Sequence, residues 1–79
     1  MTTDRIAASD RLAQLTPRER EVMELLIAGQ RSHEIAAALH VSVRTVEGHR
    51  RMVLLKANVS SAAQLVRTVL SAREAGPCA

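Results

Sequence analysis

Apolar residues recur at helical spacing in four stretches, and each stretch is bounded by residues that start or stop helices. The first opens at LTPRE, where Thr16 is a good N-cap, Pro17 fits the first helical position and Glu19 completes a capping box. Val22, Leu25 and Leu26 follow and Gly29 supplies a stop, which predicts a helix over 17–28. The second helix is short, about 33–39, with Ser32 as its expected cap and a narrow stripe of Ile35, Ala36 and Leu39. HVSV follows: His40 can close one helix and Ser42 can cap the next. The third helix is predicted over 43–57 with Val46, Val53, Leu54 and Ala57 inward, ending at Asn58, a residue that tolerates the left-handed conformation. A fourth runs over about 61–74 from Ser60 or Ser61 (Ser61 and Gln64 make a second S-x-x-Q box), with Leu65, Val66, Val69 and Leu70 inward and Gly76 and Pro77 as stops. Residues 1–14 show only loose apolar spacing, Ile6 and Leu12, and read as a flexible leader, a linker or a frayed helix; residues 76–79 read as a disordered tail.

The expected fold is therefore all-α: a four-helix bundle over residues 15–75, with no strand and no wing. Its middle helices are joined by a turn of about four residues, which is helix-turn-helix geometry at about 32–51, with the second of the two projecting as a recognition helix. A chain of 79 residues buries only about 60% of its unfolded surface, so the core is thin. With no aromatic residue, that core has to be built from Leu, Val, Ile, Met and Ala, and an apolar content of 47% suffices for folding.

Composition narrows the chemistry. One cysteine, Cys78, excludes an internal disulfide and fits an intracellular setting. His33, His40 and His49 are never closer than seven residues apart, so neither a metal nor any other cofactor is expected. The N-terminus lacks a signal-peptide core and no apolar run approaches membrane-spanning length, so the protein is expected to be soluble and cytoplasmic. No nucleophile–base pair, carboxylate dyad or glycine-rich phosphate loop is present, which sets an enzyme aside.

The net charge of +3 is unevenly placed. Residues 31–56 hold four arginines and one lysine against Glu34 and Glu47, whereas residues 1–30 hold four arginines against five acids. The excess lies around the predicted helix-turn-helix, as expected of a region that meets a polyanion, the plainer alternative being a solvated basic face. Phosphate contacts are expected from Ser42, Arg44, Thr45, Arg50 and Lys56, with Ser32 and His33 at the start of the second helix, where free backbone N–H groups favour an anion. Four of these have a plainer alternative: capping for the two serines, a bond back to its own helix for Thr45, a solvated charge for Lys56. His49 reads as a partly buried structural histidine.

The stretch LTPREREVMELLIAGQRSHEIAAALHVSVRTVEGHRRMVLLKANVSSAAQLV resembles the LuxR-type helix-turn-helix domain, the DNA-binding output domain of NarL/FixJ-type response regulators and quorum-sensing regulators. The resemblance covers about residues 12–70. It is carried together by LTPRE, the alanine-rich EIA segment, S-x-x-TV followed by His49, and Lys56 seven residues beyond that histidine. The leader DRLAQLTPRE and the ending AAQLVRTVL look most like the FixJ branch. Ala57 and Asn58 replace the family's usual leucine and glycine, and Leu55 stands where a charged residue is common. The chain has no room for a receiver domain, so the expectation is a stand-alone regulator or an excised output domain.

The resemblance implies that Glu47, Gly48 and Arg51 face the bases. Arg51 can donate two hydrogen bonds to guanine, Glu47 can accept from cytosine N4 or repel phosphate, and Gly48 lets the backbone approach. The alternatives are a solvated arginine, a first-turn acid complementing the helix dipole, and packing clearance. The resemblance also implies dimer contacts on the fourth helix, among Leu65, Val66, Val69 and Leu70, the alternative being that the small core uses all of these residues; a homodimer on two half-sites of double-stranded DNA, with RNA polymerase as a further partner, goes with the dimer reading. The competing reading is a helical interaction module that docks a partner through that same helix; the basic residues at 44, 50, 51 and 56 weigh against it.

Overall fold

A computed structural model describes residues 10–74. Four helices follow in order: α1 (Pro17–Ile27), α2 (Ser32–Leu39), α3 (Val43–Ala57) and α4 (Ala62–Glu74), with no strand among the described residues. Residues 10–13 are also helical, and they are no loose leader. Leu12 and Leu15 are buried in the core, and the Arg20 guanidinium donates to the Leu12 carbonyl at 2.8 Å. The apolar side chain at position 12 recruits this segment to the domain. Residues 1–9 and 75–79, and with them the expected stops Gly76 and Pro77, lie outside the described residues.

The N-terminal boundary of α1 is the one the sequence implies. Thr16 Oγ1 accepts the Glu19 N–H at 3.1 Å and the Glu19 carboxylate accepts the Thr16 N–H at 3.0 Å. Ser42 caps α3 in the same way, accepting the Thr45 N–H at 3.0 Å. Before α4 the box is split: Ser61 Oγ accepts the Gln64 N–H, while the Gln64 side chain reaches back one residue further, to the Ser60 N–H. α2 differs from expectation. Ser32 is its first helical residue and Arg31 holds the cap position, where the Glu34 carboxylate takes the Arg31 N–H at 2.7 Å. The reach-back from Glu34 serves the helix end and frees the Ser32 hydroxyl for another partner.

The first three helices end alike, on a residue in the left-handed region: Gly29 at φ 91°, His40 at φ 59° and Asn58 at φ 59°. The next N–H then bonds five residues back, Gln30 to Leu25, Val41 to Ala36 and Val59 to Leu54, each at 3.0 Å. The pattern reverses the chain tightly, and in the last two cases it drops a valine against the core. Three residues, His40 to Ser42, separate α2 from α3.

All four helices and the entering segment feed one core. α1 contributes Val22, Met23 and Leu26, α2 Ile35 and Ala36, α3 Val46, Val53 and Ala57, and α4 Leu65, Val69 and Ala72. Met23 heads the fully buried side chains by volume, as an aliphatic core without rings requires. α3 packs chiefly on α1 and α2. One face is thereby fixed inward and the opposite face left to solvent.

Candidate nucleic-acid interface

That outward face of α3 carries Glu47, Gly48 and Arg51, all exposed. A Cβ built on Gly48 meets nothing within 4 Å, so packing clearance does not explain the glycine. Nor is Glu47 a first-turn acid: the first turn of α3 holds none, and Glu47 is its fifth residue. Its carboxylate accepts a hydrogen bond from the Ser32 hydroxyl, which ties the reading face of α3 to the start of α2. The hydroxyl left free by Arg31 and Glu34 is the one that orients Glu47.

The other polar candidates gather around the same face. Ser42 and Thr45 are exposed at the N-terminus of α3, where the Ser42 hydroxyl donates to Thr45 Oγ1 at 2.9 Å. Arg44 and His33 are exposed, His49 and Arg50 half-buried. Among the described residues the ion pairs are Arg18–Glu21, Lys56–Glu19 and Arg73–Glu24. None of them takes up Arg44, Arg50 or Arg51. Arg50 Nε is buried without a hydrogen-bond partner among the described residues, which leaves its desolvation uncompensated there. An open groove of about 460 Å³ runs along this side, from Glu47 and Gly48 past Arg51 and Leu55 to Val59 and Ser60.

Lys56 departs from its expected role as a phosphate contact. Its ammonium donates to the Glu19 carboxylate at 2.7 Å and lies 3.4 Å from the Gln14 carbonyl, with the side chain only 25% exposed. Lys56 is on α3 but on the side that faces α1, and there it anchors the helix to the capping box. The Lys56 hydrogen bond, followed by that from the Thr16 N–H, holds the Glu19 carboxyl below its usual range, against the opposing pull of burial. Glu19, expected only to cap, thus also joins the start of α1 to α3. Its partner lies 37 residues away, and no local spacing could have shown the pair.

On α4 the four expected dimer contacts divide. Leu65 and Val69 are 0% and 1% exposed and belong to the core, so neither is available to a second subunit. Val66 is half-buried and Leu70 is 50% exposed, contrary to its expected inward position. The inward stripe of α4 is completed by Ala72 in its place.

Among the described residues no helix is long and apolar enough to cross a membrane, and no group of three or more His, Cys, Asp or Glu could hold a metal.

Comparison with known proteins meets the same helices. Residues 13–69 match the family described as bacterial regulatory proteins, luxR family. The tetrathionate response regulatory protein TtrR of Salmonella typhimurium is 48% identical over 54 residues, covering 68% of this chain and 26% of its own length. The transcriptional regulatory protein FixJ of Bradyrhizobium diazoefficiens is 45% identical over 62 residues, 78% of this chain and 30% of its own length. The crystal structure of full-length FixJ from B. japonicum superposes with a TM-score of 0.77 at 39% identity, over 92% of this chain and 37% of that one. The chain therefore spans only about a third or less of the length of these curated relatives.

Proposed function

The chain belongs to the luxR family of bacterial regulatory proteins, a DNA-binding domain of transcriptional regulators, and from that premise we propose how it reads DNA. α3 lies in the major groove. Arg51 donates two hydrogen bonds to a guanine, Glu47, oriented by Ser32, selects against the wrong base, and Gly48 lets the backbone come close. Arg44, Arg50 and the Ser42–Thr45 pair contact phosphates on either side, with His33 at the start of α2. The observation that carries this reading is the contrast in pairing. Within α3, Lys56 on the side facing α1 is matched with a carboxylate, whereas Arg44 and Arg51 on the exposed side are in none of the ion pairs among the described residues. A helix face that leaves Arg44 and Arg51 outside those ion pairs, with an exposed glycine between them, is arranged for an anionic partner.

Two such domains meet on the operator through Val66 and Leu70 of α4, the apolar side chains that the core does not use up. Activity within a longer regulator, RNA polymerase as a further partner and a place in the cytoplasm belong to the same proposal.

Titration of a labelled duplex pool at about 50 and 200 mM salt, followed by anisotropy, tests it. A domain neutralising about four phosphates loses roughly a hundredfold in affinity across that range. A salt-independent signal, or no binding even by a covalently joined dimer, would overturn the reading in favour of a protein-interaction module.

A further inference from the structure

The outward face of α3 does not end at Arg51. Gly48, Arg51, Met52 and Leu55 fall at i, i+3, i+4 and i+7, so they share one face, and all four are exposed. Leu55 is 65% exposed and Met52 39%, and neither belongs to the core. A single exposed leucine is ordinary on a protein surface. Here its position matters: Leu55 extends the row that Gly48 and Arg51 begin, about 10 Å further along the helix axis, which spans roughly three base pairs. Homeodomain recognition helices read bases from the same i, i+3, i+4, i+7 spacing.

From this geometry we infer that Leu55 is a further specificity-determining residue, whose side chain packs against the C5-methyl of a thymine in the major groove. The inference rests on the DNA-binding reading above. Beyond Arg51 this end of the face is apolar, because Lys56, the next cation along the chain, is turned away and held by Glu19. Phosphate contact is therefore not what the end offers. In the major groove the thymine methyl is the apolar group that marks one base from another. A protein docking on Met52 and Leu55 would have to cover the neighbouring Arg51, which is in none of the ion pairs among the described residues. DNA supplies both the methyl and the guanine acceptors that Arg51 needs.

The test begins with selection of a preferred duplex by the full chain. Each thymine of that site is then replaced in turn by deoxyuridine, which removes only the methyl, and each duplex is titrated with the natural chain, Leu55→Ala and Met52→Ala. The natural chain should lose about fourfold in affinity at one thymine, the effect of burying one methyl. Leu55→Ala should bind the thymine and deoxyuridine duplexes equally, and Met52→Ala should keep the difference. Circular dichroism should show unchanged helicity, since Leu55 lies outside the core. A specific duplex with no methyl dependence, a dependence that survives in Leu55→Ala, or one lost in Met52→Ala alone overturns the assignment and leaves DNA binding intact. If no duplex is selected, the DNA-binding reading fails and this assignment fails with it.

Discussion

Arg51 and Lys56 are carried by one helix, yet Arg51 stands exposed with no carboxylate partner among the described residues and Lys56 is drawn onto Glu19 at 2.7 Å. Five positions at 100° each turn one cation to the opposite side of α3 from the other. Facing α1, a cation becomes part of the scaffold, because a buried carboxylate there requires a donor. Facing solvent, the same charge stays available. Charge alone therefore does not mark a nucleic-acid contact, and a basic helix has to be sorted by what each residue already holds.

The contrast is broken most severely from the Glu19 side. Glu19→Ala removes the acceptor of the Thr16 N–H and leaves the Lys56 ammonium without its partner. Unfolding in urea should show a loss of roughly 2–3 kcal/mol. Lys56→Ala should cost somewhat less, and its affinity for DNA should be unchanged once the folded fraction is corrected for. A uniform loss of affinity at full folding would return Lys56 to the phosphate-contacting set.

Arg51→Ala should do the reverse. Its melting temperature should stay near that of the natural chain, while discrimination at one base pair falls by roughly 1–3 kcal/mol. Binding to a panel of single-base variants would show it, and retained discrimination would remove Arg51 from the base-reading role.

The pH dependence separates the two sides further. The folded-state pKa of Glu19 is lowered, so its contribution to stability is complete above the unfolded value of about 4.5 and fades as pH falls through the folded value. Unfolding free energies measured from pH 6 downward should decline over that window. Glu19→Gln should flatten the decline; if it persists undiminished, another group causes it.

Gly48→Ala sharpens the comparison from the exposed side. Because nothing lies within 4 Å of the added Cβ, the helix should gain about 0.5–1 kcal/mol, while DNA affinity falls. A gain in both would show that the backbone does not approach the bases. A gain of the same size, but confined to stability, is expected in the turn, where His40→Gly relieves a left-handed residue at φ 59° and should raise the stability by roughly 0.5–1 kcal/mol with no change in sequence preference.

How much of this was legible beforehand follows the range of each interaction. The caps at Thr16 and Ser42, the helix end at His40 and the left-handed end at Asn58 involve neighbours within a few residues, so the sequence alone determined them, together with the four helices and the side of α3 that faces out. The same holds for the family, whose markers lie in order along the chain. Where two local solutions compete, local reading fails: Glu34 reaching back to Arg31 displaced Ser32 from the cap and sent its hydroxyl to Glu47. Only tertiary structure decided that Lys56 meets Glu19, that Leu12 joins the core, and that Leu65 and Val69 are spent inside while Leu70 is not. Each depends on which helix faces are pressed together. Periodicity shows that a face is apolar or charged, but only packing shows what lies opposite it.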